Sequence, residues 1–154
     1  MKKILFVCTG NICRSPTAHA IARHKAKIYQ KENEFFFDSA GTDSYHQGQA
    51  ADSRSAKVGA EKGISFAGII SRPITKKDFA EFDLILGMDR SHISRLISRA
   101  PSEYHHKIKL FLEFCETENL WNDEVVDPYY GGDRGFLEVF ATIDRAIEKL
   151  FLIT

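Results

Sequence analysis

The chain has 154 residues, 44% of them hydrophobic, with 21 basic and 21 acidic side chains. That length suits one domain with a proper core, expected to span residues 1–154. Zero net charge gives no field favouring nucleic acid or an anionic membrane, and no apolar run is long enough to cross a bilayer or to form a secretory signal.

Three cysteines are an odd number and do not suggest a secreted disulfide framework. A reducing cytoplasm is the expected location, where a nucleophilic thiol stays free.

The first strand-like run is Lys3 to Cys8, with others at Phe35 to Ser39, Asp83 to Met88 and Ile108 to Leu112. Between them lie helical patterns. Ala18, Ile21, Ala22, Ile28 and Tyr29 recur at spacings of three and four or their sums. Residues Asp52 to Gly63 read as a helix capped by Asp52 or Ser53 and stopped by Gly63. Ser91 to Ser98 gives a shorter one. Phe136, Val139, Phe140, Ile143, Ile147, Leu150 and Phe151 form a clean apolar stripe on the last. Alternating strands and helices predict an α/β fold, a doubly wound parallel sheet with helices on both faces. Such sheets place their sites beyond the C-terminal strand ends, at the switch point.

The segment after the first strand occupies that position. It reads Cys8-Thr9-Gly10-Asn11-Ile12-Cys13-Arg14-Ser15, followed by Pro16 at a helix start. A phosphoryl group in transfer spreads charge over three equatorial oxygens. A short loop at a helix N-terminus can aim successive N–H groups at them. Gly10 would supply a positive φ, and Arg14 offers a permanently charged fork for two oxygens. The same field would lower the pKa of Cys8 and ready its thiolate to attack. Ser15 is near enough to donate to that thiolate. The bare spacing also fits a buried cysteine ending a strand ahead of a helix cap. A nucleotide P-loop is excluded because its Gly-Lys-Ser/Thr ending is absent.

The stretch CTGNICRSP resembles the signature of the low-molecular-weight protein tyrosine phosphatases. The resemblance runs along nearly the whole chain: Asp38-Ser39-Ala40-Gly41-Thr42, Ile74-Thr75 with Asp78-Phe79, Phe82 to Leu86 with Met88-Asp89, and Val126-Asp127-Pro128-Tyr129-Tyr130-Gly131-Gly132. It implies four parallel strands in a flavodoxin-like order and hydrolysis of phosphotyrosine through a cysteinyl-phosphate. It also implies Cys8 as nucleophile, Arg14 as phosphate clamp and residues Thr9 to Ser15 as the phosphate-binding loop. Inorganic phosphate and related oxyanions would bind there, with phosphotyrosine proteins as substrates and no metal or other cofactor.

Breaking the ester needs a proton for the leaving oxygen. Asp127, between Val126 and rigid Pro128, is the candidate acid and later base. Partial burial on its loop would raise its pKa and keep it protonated. Alone, Asp-Pro is a common turn; the resemblance assigns the aspartate of Asp-Pro-Tyr-Tyr this role. Tyr45, Tyr129 and Tyr130 are expected to wall a slot for an aromatic ring, with Ile12 on its floor. The related phosphoarginine phosphatases have threonine in place of Ile12, so isoleucine favours phosphotyrosine over phosphoarginine. Asn11 is expected to brace the loop with Ser39 as partner. The histidine that the family often adds to this network is missing before Ser71-Arg72, and His19 reads as a helix-surface residue without catalytic duty. The resemblance implies a reversible Cys8–Cys13 disulfide under oxidation; the residues alone fit a buried helix-start cysteine equally well. Cys115 reads as filler.

Three rivals remain. A thiol-linked arsenate reductase shares the loop, but needs a relay of two further cysteines, and only Cys115 lies outside it. Six histidines could suggest a metal hydrolase, but none stands in a His-Glu-x-x-His spacing, nor is there a Cys-x-x-Cys pair. A phosphoprotein-binding module would keep Arg14 without needing both Cys8 and Asp127.

Overall fold

The computed structural model describes residues 1–117, 123–129 and 131–154. In chain order its elements are β1 (Lys2–Cys8), α1 (Arg14–Ile28), β2 (Phe35–Gly41), α2 (Ser53–Glu61), α3 (Lys76–Glu81), β3 (Leu84–Gly87), α4 (Arg90–Arg99), β4 (Ile108–Leu110), α5 (Phe111–Phe114) and α6 (Gly132–Ile153). A 3-10 turn over Ser102–Lys107 precedes β4. The four strands form one parallel sheet in the order β2-β1-β3-β4. This is the doubly wound α/β arrangement read from the sequence, and among the described residues no helix is long and apolar enough to cross a membrane.

Side chains on β1 alternate between two cores. Ile4, Phe6 and Cys8 pack on one face, against α1, α5 and α6. Leu5 and Val7 pack on the other, with Phe79 of α3 and Leu96 of α4. Both faces are covered, so β1 is continuously apolar rather than alternating. The α6 stripe behaves as its periodicity predicts, with Phe136, Phe140, Ile143, Ile147 and Leu150 all buried.

On α1 the pattern is only half right. Ala18, Ile21 and Ala22 are fully buried, whereas Ile28 is 59% and Tyr29 40% exposed. The helix ends there, and Tyr29 lies against α6, its ring 5.6 Å from that of Phe151. Asp52 caps α2 by accepting from Arg54 N at 2.9 Å, as expected. Helix α3 has no apolar period to announce it and rests instead on a Thr75–Asp78 capping box. The last strand is shorter than predicted because Phe111 and Leu112 enter α5.

The chain runs from β1 outward to β2 and then crosses to β3, so the switch point lies at the C-terminal ends of β1 and β3. Cys8 ends β1 and pairs in register with Gly41, while Val7 pairs with Gly87 of β3. Residues from both flanking strands therefore reach the loop after Cys8.

Candidate active site

The loop's carbonyls point outward into the body. Cys8 O accepts from Thr42 N at 2.9 Å, Thr9 O from Asp43 N at 3.0 Å, and Ile12 O from Asp52 N at 2.7 Å. Gly10 O accepts from the Ser71 hydroxyl at 2.8 Å. Among the described residues, the backbone N–H groups of Gly10 to Ser15 find no acceptor. They are left for an anion at the N-terminus of α1.

The positive φ expected at Gly10 falls on Asn11 instead, at 54°. Asn tolerates the left-handed region because its side chain is held locally. Gly10 makes room for a side chain, since a Cβ there would sit 2.8 Å from His46 Cδ2 and the ring would have to swing aside. Gly41 is the tighter constraint. Its Cβ would stand 2.6 Å from Thr9 O and 2.9 Å from Asp43 O, both backbone atoms that cannot yield.

A directed chain of hydrogen bonds ends on Cys8. Arg72 N donates to Asn11 Oδ1 at 3.0 Å, and Asn11 Nδ2 donates to Ser15 Oγ at 2.8 Å. The Ser15 hydrogen is thereby left for Cys8 Sγ, 3.0 Å away, with Ala40 O a weaker competitor at 3.5 Å. Cys8 is 3% exposed. At Cys13 burial, then the Asp52 carboxylate and Cys8, push the thiol up to about 12. Burial does the same to Cys115, which is fully buried. Both are neutral thiols at ordinary pH.

Two support assignments are corrected. Asn11 is braced by Ser15 and Arg72, not by Ser39. Ser39 Oγ instead lies 3.0 Å from Nδ1 of His19. His19 is therefore not a surface residue of α1. It faces β2, where burial lowers its pKa to about 4 against the pull of Asp38. An isolated polar residue on a helix gives no sign of its facing; only the packing of α1 on β2 reveals it.

Arg14, 4% exposed, is aimed by partners far away in sequence. Its Nη1 donates to Asp89 Oδ2 at 2.7 Å and to Val125 O at 2.9 Å, while Nη2 stands 3.8 Å from Asp127 Oδ2. Burial alone would raise the Asp89 pKa; hydrogen bonds from Ser91 and Arg14 hold it down at about 2. Asp89 is also the cap of α4, accepting from Ser91 N and His92 N. His92, 1% exposed, closes the box by accepting from Asp89 N at Nδ1, 3.1 Å away. Its Nε2 lies 2.9 Å from Thr9 Oγ1. Asp89 and His92 had no predicted role, although Asp-x-x-His before a helix is a readable capping spacing.

Above the loop opens a cleft of about 270 Å³ lined by Cys8, Ile12, Arg14 and Asp127. Tyr45 and Tyr129 stand at its sides as expected, together with His46, which the sequence reading passed over. Tyr130 lies outside the described residues. Tyr45 is 78% exposed. Arg54 secures the other wall: its guanidinium sits 5.2 Å from the Tyr129 ring centroid and 4.3 Å from that of Phe136. It donates to Tyr129 O at 3.1 Å and to both Asp52 oxygens. Tyr129 N donates in turn to Asp127 Oδ1 at 3.0 Å. The burial expected for Asp127 is absent, its side chain being 53% exposed at the mouth of the open cleft. Among the described residues no group of three or more His, Cys, Asp or Glu is placed to hold a metal ion.

Residues 3–153 match the family described as low molecular weight phosphotyrosine protein phosphatase. The chain belongs to that family. It is 38% identical to the low molecular weight protein-tyrosine-phosphatase YfkJ of Bacillus subtilis, over 97% of this chain and 94% of the relative. It is equally 38% identical to the low molecular weight phosphotyrosine protein phosphatase of Mus musculus, over 98% and 94%. Among solved structures, a protein tyrosine phosphatase from Entamoeba histolytica with Hepes in its active site superposes with a TM-score of 0.91 at 43% identity. That match covers 99% of this chain and 96% of the other. The chain is thus a cysteine-dependent protein tyrosine phosphatase.

Proposed function

We propose that residues 1–154 form a single phosphatase domain in which Cys8 is the nucleophile, Arg14 the phosphate clamp and Asp127 the general acid and base. The observation that carries this reading is the hydrogen bond between Ser15 and Cys8 at 3.0 Å, directed onto the sulfur by Asn11. Of the three cysteines, only Cys8 has such a donor and also lines the cleft beside Arg14.

In the first step Cys8 Sγ attacks phosphorus in line. The S–P bond forms, the P–O bond to the aryl group breaks, and Asp127 gives its proton to the departing oxygen. The equatorial oxygens take the free N–H groups of Gly10 to Ser15 and the Arg14 fork. In the second step a water attacks phosphorus, Asp127 takes its proton, and the S–P bond breaks to return the thiolate and release phosphate. The exposed Asp127 becomes enclosed only when a substrate ring fills the space between Tyr45 and Tyr129.

Phosphotyrosine proteins are the substrates proposed, in a reducing cytoplasm, with inorganic phosphate and other oxyanions as ligands of the same loop. Ile12 at the cleft supports an aryl ester over phosphoarginine. Cys13 lines the same cleft as Cys8, which supports its role as the partner that captures an oxidised Cys8 as a disulfide; its raised pKa works against that capture.

Rapid quenching during turnover of an aryl phosphate tests the assignment. A phosphoryl group should be trapped on the peptide that carries Cys8, with a burst of leaving group equal to the enzyme present. Cys8→Ser should show neither while still binding phosphate. Turnover of phosphoarginine exceeding that of phosphotyrosine would overturn the substrate assignment, and a trapped phosphate elsewhere would overturn the nucleophile.

A further inference from the structure

His92 is buried, belongs to no wall of the cleft, and yet reaches the phosphate loop. Its two ring nitrogens have different partners. Nδ1 accepts from the Asp89 backbone N–H at 3.1 Å, so Nδ1 carries no hydrogen. The Asp89 carboxylate lies 3.4 Å from the same nitrogen, but Oδ1 is already taken up by Ser91 and by His92 N. The one hydrogen of a neutral ring is therefore on Nε2. Burial, and then the Arg14 charge, lower the ring's pKa to about 4, which keeps it neutral at working pH.

This settles the direction of the next bond. Nε2–H donates to Thr9 Oγ1 at 2.9 Å, and Thr9 is the acceptor. A threonine hydroxyl that accepts on its oxygen still has its own hydrogen to place. Thr9 lines the cleft between Cys8 and Gly10, and no other side-chain or backbone acceptor for its hydroxyl is found among the described residues.

We infer that the Thr9 hydroxyl is a further catalytic donor, giving a side-chain hydrogen bond to an oxygen of the transferring phosphoryl group, and that His92 is the positioning residue that turns it there. This deepens the phosphatase reading and rests on Cys8 as the nucleophile. The remainder of the loop offers backbone N–H groups and the Arg14 fork; Thr9 adds a neutral O–H at the edge nearest α4. The cap of α4 thus serves the loop twice, aiming Arg14 through Asp89 and Thr9 through His92.

Thr9→Val keeps the shape and removes the donor. Its kcat/KM for an aryl phosphate should fall about 10- to 10²-fold, the worth of one hydrogen bond to a charged group. Affinity for orthovanadate, which adopts the five-coordinate geometry of the transferring group, should fall by a similar factor, and the thermal midpoint should drop by a few degrees, because the buried His92 Nε2–H loses its acceptor. Thr9→Ser, which restores the hydroxyl, should recover most of both. His92→Gln retains a residue suited to the capping box; it should lower activity, and the double variant should be no worse than Thr9→Val alone. The proposal is overturned if Thr9→Val matches the parent, if Thr9→Ser is as impaired as Thr9→Val, or if the two losses multiply. Nitrogen-15 spectra of the His92 ring give a check without substitution: protonation at Nδ1 rather than Nε2 would also overturn it. Phosphate trapped on Cys8 in Thr9→Val keeps these outcomes separate from any failure of the nucleophile assignment.

Discussion

The two loops that meet over the cleft are built in opposite ways. From Cys8 to Ser15 the phosphate loop is mostly buried, its carbonyls are fastened to the turn after β2, to the cap of α2 and to Ser71, and its side chains bond to one another in a set direction. The loop carrying Asp127 leaves that carboxylate exposed; among the described residues it is held from outside, by Val125 to Arg14 and Met88, by Asp123 and Glu124 to Arg90, and by Arg54 to Tyr129. The difference follows from the tasks. Stabilising developing charge requires dipoles already aligned before the reaction, because reorienting them during it would cost the energy they supply. Delivering a proton to a large leaving group, and then admitting water, requires a carboxyl that substrate and solvent can both reach. Rigidity is concentrated where charge is stabilised and accessibility where protons move.

The largest expected effect comes from the accessible side. Asp127→Asn should slow formation of the cysteinyl-phosphate by about 10²–10⁴-fold, most for poor leaving groups. A loss that is the same for good and poor leaving groups would mean that Asp127 does not protonate them. On the rigid side, Asp89→Asn keeps the α4 cap but removes the charge opposite Arg14. The guanidinium remains positive and loses its aim, so kcat should fall by up to about 10²-fold, the cost of a small misplacement. Inhibition by phosphate should change much less. Equal losses in both would show that Asp89 merely holds the cleft together.

A smaller effect tests whether the acid loop is positioned at all. Arg54→Ala removes the stack on Tyr129 and Phe136 and the bond to Tyr129 O. That is worth about 1 kcal/mol, or about fivefold, if it bears on the Asp127 loop. The loss should appear in leaving-group dependence and be absent from orthovanadate affinity. If vanadate weakens as well, Arg54 supports the phosphate loop and the contrast between the two loops is less sharp than drawn.

How much of this was legible beforehand divides along sequence distance. The β1 run, the Asp52 cap of α2, the α6 stripe and the Cys8 loop are local patterns of burial, capping and chain reversal, readable from neighbours a few residues apart. The supports are not local. Arg14 finds Asp89 75 positions on, Thr9 finds His92 83 positions on, and Asn11 finds the Arg72 amide 61 positions on. Nothing in the chemistry of a lone histidine says which helix face it will occupy, so His19 was misread and His92 passed over. The exposed C-terminal end of α1 at Ile28 and Tyr29 shows the converse: periodicity records a helix but not how far along it the core continues.

The most general expected effect falls on stability, not turnover, and comes from acid. His92 supports Thr9 in the loop and His19 meets Ser39 on β2, and burial lowers each from an ordinary 6.5 to about 4. Below 6.5 the unfolded chain binds a proton at each ring that the folded protein refuses until about pH 4. The stability they confer is therefore complete above 6.5 and is lost as pH falls towards 4, by at most about 1.4 kcal/mol per pH unit for each ring. Asp89, held at about 2, acts in the same direction in the next window, from its ordinary 3.8 downward. Urea unfolding at pH 7, 5.5 and 4.5 should show a declining midpoint, and His19→Gln or His92→Gln should each flatten the decline. A midpoint that stays level from pH 7 to 4.5 would mean that the two rings accept protons without penalty. The rigid loop would then lack, at His92, the buried and neutral support that sets it apart from the acid loop.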